Sequence, residues 1–525
     1  VSQALVQALQ QPALYEHPVN RFEVIETHIS WVLLTGDYAY KIKKPVNFGF
    51  LDFSTLAKRE YFCREELRLN RRLAPHLYLD IVAIGGTPDS PVMAAATGVF
   101  EYAVKMRQFD EAARLDHLLA ADKLMPTHID QLADVLASFH QTVAMAETPD
   151  EFGTPDTVYH FVDENFQQIR PLLDTEQHSE QIGLLDNIEG WCQQSFQSLR
   201  GQISERKRCG FVREGHGDAH LANMVLIDNE VVLFDCLEFN PQLRWIDVIS
   251  ELAFAVMDLD DRGKPGYGWR LLDRYLQRTG DYDGLGLLRF YQVYRACVRA
   301  KVAALQRQQA GSDEEHQSSW KEFCSYLDLA ESYTHQTQPV VVCCHGVSGA
   351  GKTTVSQQLL EQLPLIRLRS DVERKRLFGR SLDARTPEAD KETVYGIEAT
   401  RETFARLANL AGGILASGFG VIVDATFLRR AEREQFAELA RKQNLPFRLL
   451  EVTAPDALLR ERILQRAGQD NDASEAGLDV LQRQQDFREP LSPTEAESTI
   501  TVVNDGGLDL GPVITGLKSL IYGKP

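Results

Sequence analysis

At 525 residues with 44% hydrophobic side chains, the chain is too long for one ordinary domain and can bury two or three cores. A formal net charge of −19 repels phosphate polymers, which excludes general duplex DNA binding and leaves nucleic-acid contact only to a local basic groove. The 8 cysteines form no CxxC pair and no zinc-type spacing, the pattern of reduced core thiols. The opening "VSQALVQALQQPALY" has no basic start, continuous apolar core or cleavage site, and no apolar run is long enough to span a bilayer. These features predict a soluble cytoplasmic protein with no membrane partner.

The first strand-like stretch, "WVLLTGDYAYKIK", turns at Thr35-Gly36-Asp37, and its return strand places Lys41 and Lys43 on one face. A charged helix follows in "STLAKREYFCREELRLNRRLAP" and stops at Pro75. Phe62, Leu69 and Leu73 form its apolar stripe, with Glu66 in the stripe's path. A carboxylate on a buried face needs a partner, which is Lys41 by preference and Lys43 as the alternative. At the stripe's edge Glu66 would instead reach solvent.

Helical patterns dominate from Thr127 to Leu305, broken by "GHGDAHLANMVLIDNEVVLFD". Two apolar runs, Met224 to Ile227 and Val231 to Phe234, flank Asp-Asn-Glu and predict a hairpin. Symmetry about Asn229 sets Asn223 opposite Asp235, with Cα atoms about 4.5 to 5.5 Å apart. An amide and a carboxylate so placed suit a hard cation such as Mg²⁺ that also takes substrate phosphates. Asp218, on the loop leading in, is placed to accept a hydroxyl proton, a role contributing about 10² to 10⁴ in rate.

The polar stretch "QRQQAGSDEEHQSSW" is a surface connector, and the rhythm changes near Gln336 to Pro339. Two domains are expected, 1–335 and 336–525. In the second, apolar strands ("VVVCCHG", "LIRLRSD", "GFGVIVDATF", "FRLLEV", "STITVVND") alternate with amphipathic helices, which predicts a parallel sheet covered on both faces. "GVSGAGKT" fits the P-loop pattern between a strand and a helix. Gly346, Ser348, Gly349, Ala350, Gly351, Lys352, Thr353 and Thr354 would line the nucleotide phosphates, with Lys352 at the β- and γ-phosphates and Thr353 on Mg²⁺. Asp371 ends the next strand, as an acceptor's base or a helix cap or both, and Arg374 lies one turn on to hold an anionic acceptor. Asp424 ends "VIVD" as a Walker-B-like carboxylate that would hold magnesium through water. Arg462 and Arg466 share a helix face, which suits a lid over the transferring phosphoryl group and equally a solvated surface.

"HGDAHLANMVLID" with the later "LFD" resembles the aminoglycoside phosphotransferase and choline kinase group, of protein-kinase-like fold, over roughly residues 20 to 305. The resemblance implies Asp218 as catalytic base, Asn223 and Asp235 as metal ligands, Lys41 and Glu66 as the phosphate-clamping pair, and Asp247 as buried support for the loop. It departs from that pattern in having only Gly36 in place of a glycine-rich cover, and Cys236 after the metal aspartate. Residues 339 to about 525 resemble the P-loop kinases that include gluconate kinase, polynucleotide 5′-hydroxyl kinases and zeta toxins, on the P-loop, "SDVERKRL", "VIVDATF" with "RRAERE", and the arginine helix with "SEA". That likeness implies Asp371 as base, Arg374 and Arg433 as acceptor contacts, and Arg462 with Arg466 as lid. Together the halves look like bacterial fusions of the two kinds. The expectation is a two-domain kinase using ATP and Mg²⁺, each half phosphorylating a small-molecule or polynucleotide hydroxyl. The alternative is a nucleotide-dependent switch in which one half is a weakly catalytic sensor.

Overall fold

The computed structural model describes residues 3–49, 51–467 and 476–523. Packing divides the chain into two compact units, Val1–Glu164 with Phe196–Asp258, and Asn165–Ser195 with Leu259–Pro525.

The first unit opens on strands β1 (Glu23–Glu26), β2 (Ser30–Leu34) and β3 (Tyr38–Lys43), then helix α1 (Leu56–Asn70) and strands β4 (Tyr78–Thr87), β5 (Ser90–Met93) and β6 (Val99–Arg107). The six strands form one antiparallel sheet in the order β1-β2-β3-β6-β4-β5. Gly36 has φ of 100° in the tight β2–β3 turn, a conformation that costs glycine nothing. Thr55 caps α1 by accepting from the Lys58 N–H at 3.3 Å, and the helix buries Arg59, Cys63, Glu66, Leu69 and Asn70. Helices follow, and then β7 (Val212–Glu214), the hairpin β8 (Met224–Ile227) and β9 (Glu230–Leu233), β10 (Trp245–Asp247) and α2 (Val248–Asp261). Antiparallel pairing of β7 with β10 fixes where the loop after Glu214 begins.

The hairpin register differs by one residue from the symmetric expectation. Met224 faces Leu233, so Asn223 falls opposite Phe234 instead of Asp235, and the Phe234 N–H donates to the Asn223 carbonyl at 2.9 Å. The reason is the turn: Asp228 and Asn229 both adopt positive φ, 50° and 65°, making a two-residue turn that includes Glu230 in the ladder. Asp235 then lies one step beyond the pairing, itself at φ of 60°.

The second unit contains α3 (Pro265–Thr279), β11 (Val341–His345), α4 (Lys352–Leu360), β12 (Leu365–Arg369), α5 (Ser370–Leu377), α6 (Ile397–Ala416), β13 (Gly420–Asp424), α7 (Arg430–Lys442), β14 (Phe447–Thr453), α8 (Asp456–Ala467), α9 (Leu478–Phe487) and β15 (Thr499–Val503). Its five strands are all parallel in the order β12-β13-β11-β14-β15. Every residue of β11 and β13 is buried, as strands covered on both faces require. The carboxyl ends of β11, β12 and β13 bring Gly346, Asp371 and Asp424 to one edge, where ligands gather in such sheets. Packing groups residues 259–335, expected from the sequence with the amino-terminal domain, with this sheet. The cause is polar as well as apolar: buried Arg367 on β12 donates to Asp273 on α3 at 2.6 and 3.2 Å.

Candidate active sites

In the first unit Glu66 takes both lysines. Its two oxygens lie 2.9 Å from Lys41 Nζ and 2.6 Å from Lys43 Nζ. Lys41 also bonds the Asp235 carboxylate, and Lys43 bonds Glu238. The choice between the two lysines therefore dissolves into a network in which Lys41 joins the helix carboxylate to Asp235. Burial pushes the Glu66 carboxyl up, but the two ammonium groups outweigh this and hold it below its ordinary range. Lys41 loses by burial and gains more from Asp235 and Glu66, so its pKa stands well above normal. Glu238 is raised by burial, which the Lys43 ammonium only partly offsets, and by the Glu66 charge.

Asp218 lies beside Asn223, whose Nδ2 donates to Asp218 Oδ2 at 2.8 Å and to the Asp218 carbonyl at 3.0 Å. His220 Nε2 stands 3.4 Å from the same carboxylate. With its amide nitrogen so engaged, Asn223 has Oδ1 left as a ligand atom, and the Asp235 side chain is 43% exposed. One carboxylate and one amide oxygen fit a hard cation that draws its other ligands from phosphate and water. No group of three or more Asp, Glu, His or Cys suited to a metal occurs among the described residues, and such a set is not needed for that arrangement.

The groups that hold these loops were not all foreseen. The Asp235 N–H donates to the Tyr78 hydroxyl at 3.0 Å, and the Cys236 N–H to Asn70 Oδ1 at 2.8 Å. Glu251 on α2 accepts from the His216 N–H at 2.8 Å and the Gly217 N–H at 3.2 Å, with His140 Nε2 at 3.3 Å. A Cβ at Gly215 would stand 2.0 Å from Glu251 Oε2, so a side chain there would push aside the carboxylate that holds the loop. Asp247, expected to support this loop, instead pairs with buried Arg206 at 2.7 and 2.9 Å and caps the Ile249 N–H. Its place at the end of β10 turns it toward that arginine, and the supporting role falls to Glu251, one helical turn on.

In the second unit the loop after β11 folds with Gly346, Gly349 and Gly351 at φ of 147°, 84° and 92°. Cβ atoms at these positions would approach the Val452 carbonyl, the Leu459 carbonyl and Asn504 Nδ2 to 2.4, 2.8 and 2.0 Å. Lys352 Nζ donates to the Val347 carbonyl at 3.0 Å, and Thr353 Oγ1 to Asp424 Oδ2 at 2.8 Å. Lys352, Thr353 and Thr354 form the first turn of α4, whose N–H groups lack intrahelical acceptors and favour an anion. Ser348 donates its N–H to Gln484, and buried Ala350 gives its carbonyl to Asn504.

Asp371 lies half-buried in the first turn of α5, where Arg369 occupies the cap position, so it is not the helix cap. Arg374 is buried, donates to the Val394 carbonyl at 2.9 Å and packs over Tyr395, and burial lowers its pKa. Arg433 departs from the expectation of an acceptor contact. It is 1% exposed, bonds Glu495 at 2.6 Å, and spends its remaining donors on the carbonyls of Phe427, Leu428, Glu489 and Pro490, which makes it a tie within the fold. Arg462 reaches the Gly349 carbonyl at 3.4 Å and Asn504 Oδ1 at 3.1 Å, beside the phosphate loop. Arg466 belongs to the last turn of α8. Its side chain lies outside the described residues, as does most of the segment ending in "SEA".

Residues 341–491 match the family model described as an AAA domain. An uncharacterized protein of Mycobacterium tuberculosis is 29% identical over 476 residues, covering 90% of this chain and 92% of its own length. The same figures hold for an uncharacterized protein of Mycobacterium bovis. Among solved structures, a choline/ethanolamine kinase family protein from Mesorhizobium loti is 11% identical, with 63% of this chain and 98% of that chain covered and a TM-score of 0.38. A sugar kinase from Janibacter is 21% identical, with 35% of this chain and 96% of that chain covered and a TM-score of 0.27. The chain thus combines a carboxyl-terminal domain, with a phosphate-loop sequence on a parallel five-stranded sheet, with an amino-terminal part built on an antiparallel six-stranded sheet.

Proposed function

We propose that the chain is a cytoplasmic ATP-dependent phosphotransferase with two sites, one in each of the segments 1–335 and 336–525. The observation that carries this reading is the convergence of a lysine, a carboxylate pair and an Asp–Asn pair in the first unit with a complete phosphate loop in the second. In the first site Lys41, oriented by Glu66, holds nucleotide phosphate, and Asn223 and Asp235 hold Mg²⁺. Asp218 orients the acceptor hydroxyl and takes its proton as that oxygen bonds to the γ-phosphorus of ATP and the bond from that phosphorus to the β–γ bridging oxygen breaks, releasing ADP. In the second site the loop Gly346–Thr354 cradles the phosphates, Lys352 balances their charge, and Thr353 with Asp424 holds Mg²⁺. Asp371 serves as base there, Arg374 orients the acceptor, and Arg462 with Arg466 neutralises charge on the moving phosphoryl group. Bound Mg²⁺ supplies charge neutralisation across the phosphates.

The acceptor is a hydroxyl of a small molecule or a polynucleotide 5′ end; "IRLRSDVERKRLFGR" gathers basic residues beside the second site, although Arg367 is spent on Asp273, Lys375 on backbone carbonyls and Arg376 on Glu373. No helix among the described residues is long and apolar enough to cross a membrane. The test is labelled-ATP transfer to a panel of metabolites and 5′-hydroxyl oligonucleotides. Asp218→Asn and Lys352→Ala are each expected to remove one activity by at least about 10²-fold and spare the other. If either variant leaves all turnover intact, its site is misassigned.

One observation favours a second reading for the first unit. The β2–β3 turn is a single tight hairpin whose Gly36 N–H is already held by Gln108 Oε1 at 2.9 Å, so no glycine-rich flap covers the phosphates. A nucleotide sensor needs no such flap. Nucleotide binding lost in Lys41→Ala, without any Asp218-dependent transfer, would establish that role.

A further inference from the structure

The phosphate loop is gripped by a side chain from outside it. Ser348 donates its backbone N–H to Gln484 Oε1 at 2.7 Å. Helix α9, which carries Gln484, is independently fixed. Leu481 is buried, Gln485 donates to Asp456 at the start of α8 at 2.9 Å, and Arg488, just past the helix, pairs with Glu451 on β14 at 2.5 Å. The carbonyl of the same Val347–Ser348 peptide unit accepts from Lys352 Nζ at 3.0 Å. A lysine at that place in the loop accompanies the β- and γ-phosphates. The peptide held by Gln484 therefore belongs to the terminal-phosphate end of the cradle.

A primary amide carries an acceptor and two donors on one rigid group. With Oε1 committed to the Ser348 N–H, Nε2 remains to donate, and a phosphate oxygen is the strongest acceptor that reaches such a loop. We propose that Gln484 reads the terminal phosphate of the nucleotide in the P-loop site: its oxygen steadies the loop and its NH₂ group donates to the γ-phosphate. The residue then favours a triphosphate over a diphosphate. This inference rests on the P-loop reading given above.

Gln484→Glu separates reading from bracing. Glutamate still accepts from Ser348 and still fits α9, but it replaces the donor with a negative charge facing the phosphate. The full-length protein is titrated with a non-hydrolysable ATP analogue and with ADP, each with Mg²⁺, and the P-loop component is the one removed by Lys352→Ala. Gln484→Glu is expected to weaken that component for the ATP analogue by about tenfold or more. ADP affinity should stay within about threefold, with Gln484→Ala intermediate for the analogue. Equal weakening of both nucleotides makes Gln484 a brace alone and overturns the proposal, as does unchanged affinity for both. If Lys352→Ala removes no nucleotide component, the P-loop reading falls first and the proposal with it.

Discussion

Glu251 shows how one buried side chain sets the loop that carries Asp218. Burial pushes its carboxyl up, but the hydrogen bond from His140, the charges of His140 and His216, and the Gly217 N–H reverse this and hold it at about 2, against an ordinary 4.5. A carboxyl depressed in the folded state contributes stability that is fully present above the unfolded value near 4.5 and is lost as pH falls toward 2. Glu251→Gln should therefore lower the unfolding free energy at pH 7 by about 3 kcal/mol. The gap from wild type should close as pH falls through that window, read by urea unfolding over a pH series. A gap independent of pH would mean that charge on Glu251 is not what ties His216 and Gly217. Asp218, Asn223 and Asp235 stand out in the sequence by their spacing around a hairpin, and the fold sets Asp218 beside Asn223 while leaving Asp235 one step past the ladder. Glu251 and Glu238 do not stand out, since Glu238 meets Lys43 across 195 residues and only the fold brings them together.

At the scale of elements, alternating apolar strands and amphipathic helices foretold the parallel sheet, and the positions of Gly346 and Lys352 followed from it. The strand order did not, because crossovers carry no local signal. The hairpin β8–β9 was legible as a hairpin but not in register. Two apolar runs can close on a two- or a three-residue turn, and the choice depends on whether Asp228 and Asn229 accept positive φ. That dependence is testable. Asn229→Val places a β-branched residue in the left-handed region and should cost about 1–2 kcal/mol, whereas Asn229→Gly should be neutral or slightly stabilising. Chemical denaturation measures both, and equal effects would contradict the turn geometry. Because Asp235 follows directly from this ladder, Asn229→Val should also depress the Asp218-dependent activity more than the Lys352-dependent one.

For the molecule as a whole, the useful division is set by buried charge. Arg367, 4% exposed, divides its donors among Asp273 at 2.6 Å, Gln357 at 2.6 Å and the Thr353 carbonyl at 3.2 Å, so a carboxylate on α3 steadies the helix that follows the phosphate loop. Asp273 lies outside residues 341–491, and a boundary at 335/336 would leave Arg367 buried without its counter-charge. Breaking one side of a buried pair costs about 3–5 kcal/mol, far more than the pair itself contributes over an apolar substitute. Asp273→Ala in the full-length chain should therefore destabilise the second unit by that amount and reduce Lys352-dependent nucleotide binding. A double change, Asp273→Leu with Arg367→Met, should recover most of the stability because no unpaired charge remains. Thermal unfolding of the three proteins, followed alongside nucleotide titration, checks both. If Asp273→Ala unfolds like wild type, α3 is a passenger on the sheet, and a fragment beginning at residue 336 would be a sound object for assay; if it is destabilised as expected, such a fragment must begin no later than α3.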